Sequence, residues 1–222
     1  EGQVTVVGNG SACVVGGHAY IIKKGQRFIT NSAIASMGYD LPAAIGAWTA
    51  SRDKGCYSQG GDRSGEDLIL VTGDGSMQMN LQELQTIIHH RMGIKIFVIN
   101  NGGYHSIRQT QKNFFGEPLI GIGVDSGDLS FPDMEKLAGA YGYPYIKAEH
   151  NSELAKAVEQ TLAVEGPVIC EIFVSMDQNF EPKSSAKRLP DGTLVSPPLE
   201  DLAPFLPEEE MDRNMIIPRI RE

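Results

Sequence analysis

Residues 73–101, GDGSMQMNLQELQTIIHHRMGIKIFVINN, decide the fold. They follow Leu68, Ile69, Leu70, Val71 and Thr72, a short apolar run rich in branched residues and bounded by turn formers, which is the pattern of a buried strand. Gly73-Asp74-Gly75 then reads as a tight turn, because glycines on both sides of an acid admit backbone angles closed to other residues and bring bare N–H groups near a ligand. Asn80 with Glu83 three residues later has the form of a capping box. Leu81, Leu84, Ile87 and Ile88 recur at helical spacing until Gly93 stops the helix. Residues 94–99 make a second apolar strand that ends in Asn100-Asn101. Strand, helix and strand joined by short links predict a right-handed βαβ unit with both strands parallel and both carboxyl ends on one edge of the sheet. Asp74 and Asn101, 27 positions apart, are therefore expected side by side.

One carboxylate, one amide oxygen and a backbone carbonyl from the loop after Asn101 supply three hard oxygen ligands. They are too few to enclose Mg²⁺, but enough if a phosphate-bearing ligand completes the octahedron. The pattern predicts a site for a metal-diphosphate.

Gly-Asp-Gly-Ser, a helix-length spacer and Asn-Asn together resemble the thiamine diphosphate motif, and residues 8–174 resemble the carboxyl-terminal cofactor domain of acetolactate synthase-like enzymes. The resemblance implies thiamine diphosphate and Mg as cofactors. It gives Asp74, Asn101 and the carbonyl of Gly103 as metal ligands, and Gly73, Gly75, Ser76, Tyr104 and His105 as neighbours of the diphosphate. Asn9, Gly10 and Ser11, in the glycine-rich loop after the first strand, fall where the family contacts the same group, although the family's usual Gly-Gln-His wording is missing. Residues 30–47 resemble the segment that holds the aminopyrimidine ring: the carbonyl of Ala35 receives its exocyclic amine and Met37 enforces the folded cofactor conformation from beneath. Ala35 and Asp40 stand where the family frequently has glycine. Ala35 is accommodated if its backbone lies in an ordinary region; Asp40 places a charge near the site.

His105, at the edge of the cofactor, either transfers a proton near neutral pH or hydrogen-bonds to phosphate. His89 and His90 are adjacent on the central helix, face different directions and do not form an i, i+4 metal pair.

The 222 residues suffice for one large domain with an appendage; 41% are hydrophobic and 21% charged, ordinary values for a globular protein. A net charge of −9 leaves no basic surplus for a nucleic acid. Cys13, Cys56 and Cys170 are odd in number and far apart, which fits neither a zinc site nor a disulfide framework and makes a reducing cytoplasm the expected location. No apolar run reaches membrane-spanning length. The chain opens on Glu1 and enters its first expected strand, residues 4–7, almost at once, as a piece cut from a longer chain would.

Around the central unit, Pro42 near the start of a helix, a polar insertion over residues 51–67, a glycine-rich loop over residues 112–130 that folds over the site, a helix over residues 133–141 stopped by Gly142, a strand at residues 145–148, a helix over residues 152–164 and a strand at residues 168–174 complete an α/β fold: a doubly wound, mainly parallel sheet flanked by helices. Seven of the 12 prolines follow Asp177, so residues 1–176 are expected to form the cofactor domain and residues 177–222 an extended, irregular tail packing on a partner domain or subunit.

The family's activating glutamate has no counterpart here. Glu83 is committed to the helix start, and Glu66 and Glu117 sit in loops. By resemblance that glutamate comes from a pyrimidine-binding domain, the site is completed between chains of a homodimer or homotetramer, and this chain alone is inactive. The intact enzyme would decarboxylate pyruvate or a related 2-keto acid and pass the fragment to an acceptor. Two alternatives stand beside it: a separate subunit of a 2-keto acid decarboxylase, and a non-catalytic thiamine diphosphate-binding module.

Overall fold

A computed structural model describes residues 3–52 and 67–219. The insertion expected at residues 51–67 therefore lies, apart from its ends, outside the described residues. The chain divides into two units, residues 1–178 and 179–222.

The first unit is built on six parallel strands: β1 (Val4–Val7), β2 (Arg27–Ile29), β3 (Leu68–Gly73), β4 (Ile94–Asn100), β5 (Tyr145–Ala148) and β6 (Val168–Phe173), in spatial order β2-β1-β3-β4-β6-β5. The predicted βαβ unit sits at its centre, with β3 and β4 in register from Leu68 opposite Ile94 to Gly73 opposite Ile99. Both strands are nearly continuous apolar runs because both faces of the sheet are covered. On one face α2 (Asp40–Arg52), α4 (Glu83–His89) and α6 (Met134–Tyr141) bury Leu41, Ala44, Leu84, Ile87 and Ala138 against Leu70, Ile94, Ile96 and Val98. On the other, Ala157 of α7 (Asn151–Ala163) packs with Phe97, Ala148 and Cys170. Asp133 caps α6 by accepting from the Lys136 N–H at 3.0 Å, and Gly142 ends it at φ 78°. Among the described residues no helix is long and apolar enough to cross a membrane.

Lys95 breaks the apolar run of β4 yet is fully buried. Its Nζ donates to the carbonyls of Val164 and, at 2.8 Å, Gly166, and lies 3.0 Å from the Asp67 carboxylate. It thereby satisfies acceptors just beyond α7, where a helix leaves carbonyls without partners.

Four expectations change. Gly73-Asp74-Gly75 is not a turn of unusual backbone angles: Gly73, at φ −108°, ends β3, and a short helix α3 (Asp74–Gln78) starts at once. The capping box does not form: the Asn80 NH₂ donates to the Gly38 carbonyl at 2.6 Å and its side-chain oxygen accepts from Gln82 Nε2 at 3.2 Å, while Glu83 accepts from the Thr86 hydroxyl at 3.0 Å. α4 consequently begins only at Glu83. Residues 112–114 belong to α5 (His105–Phe114), and the loop beyond comes back to pair antiparallel with the site, Gly123 opposite Gly103. The tail is not wholly irregular: the second unit holds a hairpin, β7 (Lys187–Arg188) with β8 (Leu194–Val195), and a helix α8 (Glu208–Asn214). Strand β2 had no sequence expectation; three residues carry too little alternation to register, and pairing with β1 defines it.

Candidate functional site

In an open α/β sheet the ligand crevice lies at the strands' carboxyl ends, where successive connections depart in opposite directions. Here that point lies between β1 and β3. The loop after β1, the helix start after β3 and the loop after β4 converge there. With the segment between β2 and α2, which carries Ala35 and Met37, they bring all thirteen residues named from the sequence, Asn9, Gly10, Ser11, Ala35, Met37, Gly73, Asp74, Gly75, Ser76, Asn101, Gly103, Tyr104 and His105, to one cleft, with Ser106 and Ile107 at its side. Its volume of about 180 Å³ falls below the roughly 300–1,000 Å³ that encloses a whole drug-sized ligand. The cleft is too small to enclose the whole of a ligand of that size.

In Asn9, Asp74 and Asn101 one polar atom is used inward and one acceptor oxygen is left over. Asn9 Nδ2 donates to the Ser36 carbonyl at 2.6 Å, and Asn101 Nδ2 donates to the Ser11 hydroxyl of α1 (Ser11–Ala19) at 2.8 Å. Asp74 Oδ1 accepts from the Gly75 N–H at 3.0 Å. Asn9 Oδ1, Asp74 Oδ2 and Asn101 Oδ1 are buried and have no hydrogen-bond partner. Each such buried acceptor costs about 1–3 kcal/mol, so three in one cleft call for an ion or donors from a ligand. Burial pushes the Asp74 carboxyl up to about 6, against the opposing N–H groups of Gly75 and Gly103 and the charge of Arg108. All-oxygen donors suit a hard cation. Among the described residues no three His, Cys, Asp or Glu side chains gather as a metal centre.

The glycines serve close approach. A Cβ on Gly75 would stand 3.0 Å from Cδ1 of the Tyr104 ring and nearer still to Cε1, and one on Gly103 would run into the Ile122 carbonyl and stand 2.7 Å from the Gly123 Cα. Gly102 and Gly103 adopt φ 67° and 146°.

Several supporting residues were given no role from the sequence. Asp40, completely buried, accepts from the Thr72 hydroxyl and, at 3.0 Å, from that of Ser76, whose oxygen accepts in turn from the Gly38 N–H at 3.0 Å. The charge near the site is thus a hub joining α2, β3 and α3, and any contact of Ser76 with an anion falls to its N–H. Arg108, buried on α5, makes a bidentate pair with Asp125 at 2.8 and 2.9 Å and donates to the carbonyls of Asn101 at 3.3 Å and Gly102 at 3.1 Å. It clamps the loop after β4 to the returning segment. Its Nη1 also lies 3.4 Å from His105 Nδ1, and since a guanidinium only donates, that ring nitrogen is the acceptor. Glu171 does not line the cleft: its carboxylate accepts from Asn100 at 2.6 Å and from the Tyr145 hydroxyl.

Ala35 lies at φ 54°, not in an ordinary region. The left-handed conformation costs a non-glycine residue about 1–2 kcal/mol, and glycine's greater freedom in the unfolded chain returns about 0.4–1 kcal/mol of that. Ala35→Gly is therefore expected to raise the denaturation midpoint. A lowered midpoint would show that the methyl group, not the backbone, dominates there.

The family described as "Thiamine pyrophosphate enzyme, C-terminal TPP binding domain" matches residues 8–172. Acetolactate synthase large subunits of Cyanidium caldarium and Porphyra purpurea are 34% and 33% identical to this chain, over 70% and 72% of it and 24% of each relative. Chloroplastic acetolactate synthase 2 of Nicotiana tabacum is 29% identical over 78% of this chain and 26% of its own. The chain spans about a quarter of the length of these relatives.

Proposed function

Given that the chain belongs to the thiamine pyrophosphate enzymes, as a C-terminal TPP-binding domain of the acetolactate synthase-like kind, we propose that it holds the diphosphate and Mg²⁺ half of the cofactor in an enzyme acting on pyruvate or a related 2-keto acid by decarboxylation and carboligation. The observation that carries this is the set of buried, unpartnered oxygens of Asn9, Asp74 and Asn101 around one small cleft. Asp74, Asn101 and the Gly103 carbonyl would hold the Mg²⁺. The N–H groups at the start of α1, beside Gly10, and that of Ser76 would face the diphosphate, with Gly75 leaving room for it. Ala35 and Met37 would receive the aminopyrimidine, and Tyr104 and His105 would close the phosphate side.

When bound, thiamine diphosphate supplies an electron sink for the carbanion of decarboxylation. The residues here bind and orient, an effect worth up to roughly 7–11 kcal/mol when the geometry is good. The activating glutamate would come from a pyrimidine-binding domain across a homodimer or homotetramer interface, which fits a cleft too small for the whole cofactor. This chain alone would then be inactive, and residues 177–222 would pack on that partner domain or subunit. Cys13 and Cys170 are free thiols, in keeping with a reducing compartment such as the cytoplasm.

Calorimetric titration of the full-length protein with thiamine diphosphate, with and without Mg²⁺, tests the reading. Saturable binding that requires the metal is expected, together with pyruvate consumption. A folded protein that does not bind would overturn the assignment. Binding without turnover on any 2-keto acid would reduce it to a non-catalytic module.

A further inference from the structure

Glu171, 3% exposed, stands on β6 behind the loop that follows β4. Its Oε1 accepts from Asn100 Nδ2 at 2.6 Å and its Oε2 from the Tyr145 hydroxyl of the edge strand β5. Asn100 Oδ1 in turn accepts from the Gly102 N–H at 2.9 Å, and the Asn100 carbonyl accepts from the Val174 N–H at 2.9 Å. The Glu171 carboxylate accepts through both oxygens. It therefore fixes which way round the Asn100 amide stands, NH₂ toward Glu171 and oxygen toward Gly102. With its acceptor in place, Gly102 turns at φ 67°, Asn101 sends its amide to Ser11, and the Asn101 oxygen is left toward the cleft.

We propose that Glu171 and Asn100 are positioning residues for the cation loop, acting as a buried relay from Tyr145 through Glu171 and Asn100 to the Gly102 N–H. The two asparagines then divide the work: Asn101 presents an oxygen to the ligand and Asn100 fixes the backbone from which it does so. The inference rests on the metal site proposed above and extends it to residues outside the cleft.

The test is the Mg²⁺ midpoint for thiamine diphosphate binding by the full-length protein, read by calorimetry, beside a melting temperature for each variant. Removing the orienting partner of a metal ligand costs about 10–100-fold in metal affinity, and Glu171→Ala and Asn100→Ala are each expected to raise the midpoint by that factor. Both act in one chain of contacts, so the double variant should be no worse than Asn100→Ala alone. Glu171→Gln keeps an acceptor oxygen and should restore most of the affinity. Tyr145→Phe, which removes one hydroxyl and leaves the fold, should raise the midpoint by less than Glu171→Ala, and it decides the matter if the alanine variants do not fold. Lys95→Met, which removes the α7 contacts on the same strand, should lower the melting temperature and leave the midpoint unchanged. Midpoints that stay at the wild-type value in Tyr145→Phe and the alanine variants, or effects of the two alanines that simply add, would overturn the relay. Failure of the wild-type protein to bind in a metal-dependent way would instead remove the metal site itself, and this inference with it.

Discussion

Asp74→Asn is expected to abolish Mg²⁺-dependent cofactor binding and, in the same protein, to raise stability measured without cofactor. The two effects share a cause. The Asp74 carboxylate is 3% exposed, and one of its oxygens has no hydrogen-bond partner. Burial lifts its pKa from 3.8 to about 6. A raised carboxyl pKa means that the folded protein prefers the protonated form. The stability tied to that form is complete below 3.8 and is lost as pH rises through about 6, so at pH 7 the ionised group costs about 3 kcal/mol at about 1.4 kcal/mol per pKa unit. Asparagine removes the charge but leaves its own amide short of partners, which costs about 1–3 kcal/mol. The net gain expected at pH 7 is about 1 kcal/mol, shrinking as pH falls from 7 toward 4. Loss of the proposed metal ligand should exceed the roughly 10–100-fold that orienting residues are worth. Melts at pH 7 and pH 5, each with and without Mg²⁺ and thiamine diphosphate, check both arms. The variant should be the more stable protein without cofactor and the less stable one with it. A variant less stable than wild type in cofactor-free buffer at pH 7 would show that Asp74 stabilises the fold rather than waiting for a cation.

This opposition explains what was legible in the sequence. A residue kept against the interest of the fold shows as an acid between glycines after an apolar strand, with its partner at the end of the next strand. Asp74 and Asn101 could therefore be named, and the βαβ unit between them followed from short links and continuous apolar runs. The strand order and the edge strand β2 could not be read, since Arg27, Phe28 and Ile29 become a strand only by pairing with β1. Nor could the supports. Asp40 with Thr72 and Ser76, Arg108 with Asp125, and Glu171 with Asn100 join residues 17 to 71 positions apart, and each looks like a surface polar residue until the fold brings its partner. Glycine misled in another way. The sequence marks a position where a side chain is unwelcome but not whether torsion or crowding excludes it, and at Gly75 the reason is the Tyr104 ring.

At Gly103 both reasons act, so Gly103→Ala is expected to be far more damaging than Gly75→Ala. Gly103 sits at φ 146°, and its new Cβ would meet the Ile122 carbonyl and the Gly123 Cα. Those atoms belong to a paired backbone held by the Tyr104 N–H on the Ile122 carbonyl at 2.6 Å and the Val124 N–H on the Gly102 carbonyl at 3.1 Å. Nothing there can swing aside. Overpacking costs about 1–3 kcal/mol and a forbidden backbone conformation about 1–3 kcal/mol, so Gly103→Ala should lose about 2–6 kcal/mol and, by displacing the proposed Gly103 carbonyl ligand, metal-dependent binding as well. At Gly75 the obstacle is a side chain whose ring can rotate away from its edge-to-face contact with Phe131, 5.9 Å between centroids. Gly75→Ala should therefore lose less, and in a Tyr104→Ala background it should lose almost nothing. Urea titrations of the two single variants and of each combined with Tyr104→Ala separate crowding from torsion. Relief of Gly75→Ala but not of Gly103→Ala is the expected pattern, and equal costs for the two alanines would show that the loop after β4 yields where the hydrogen bonds say it is fixed.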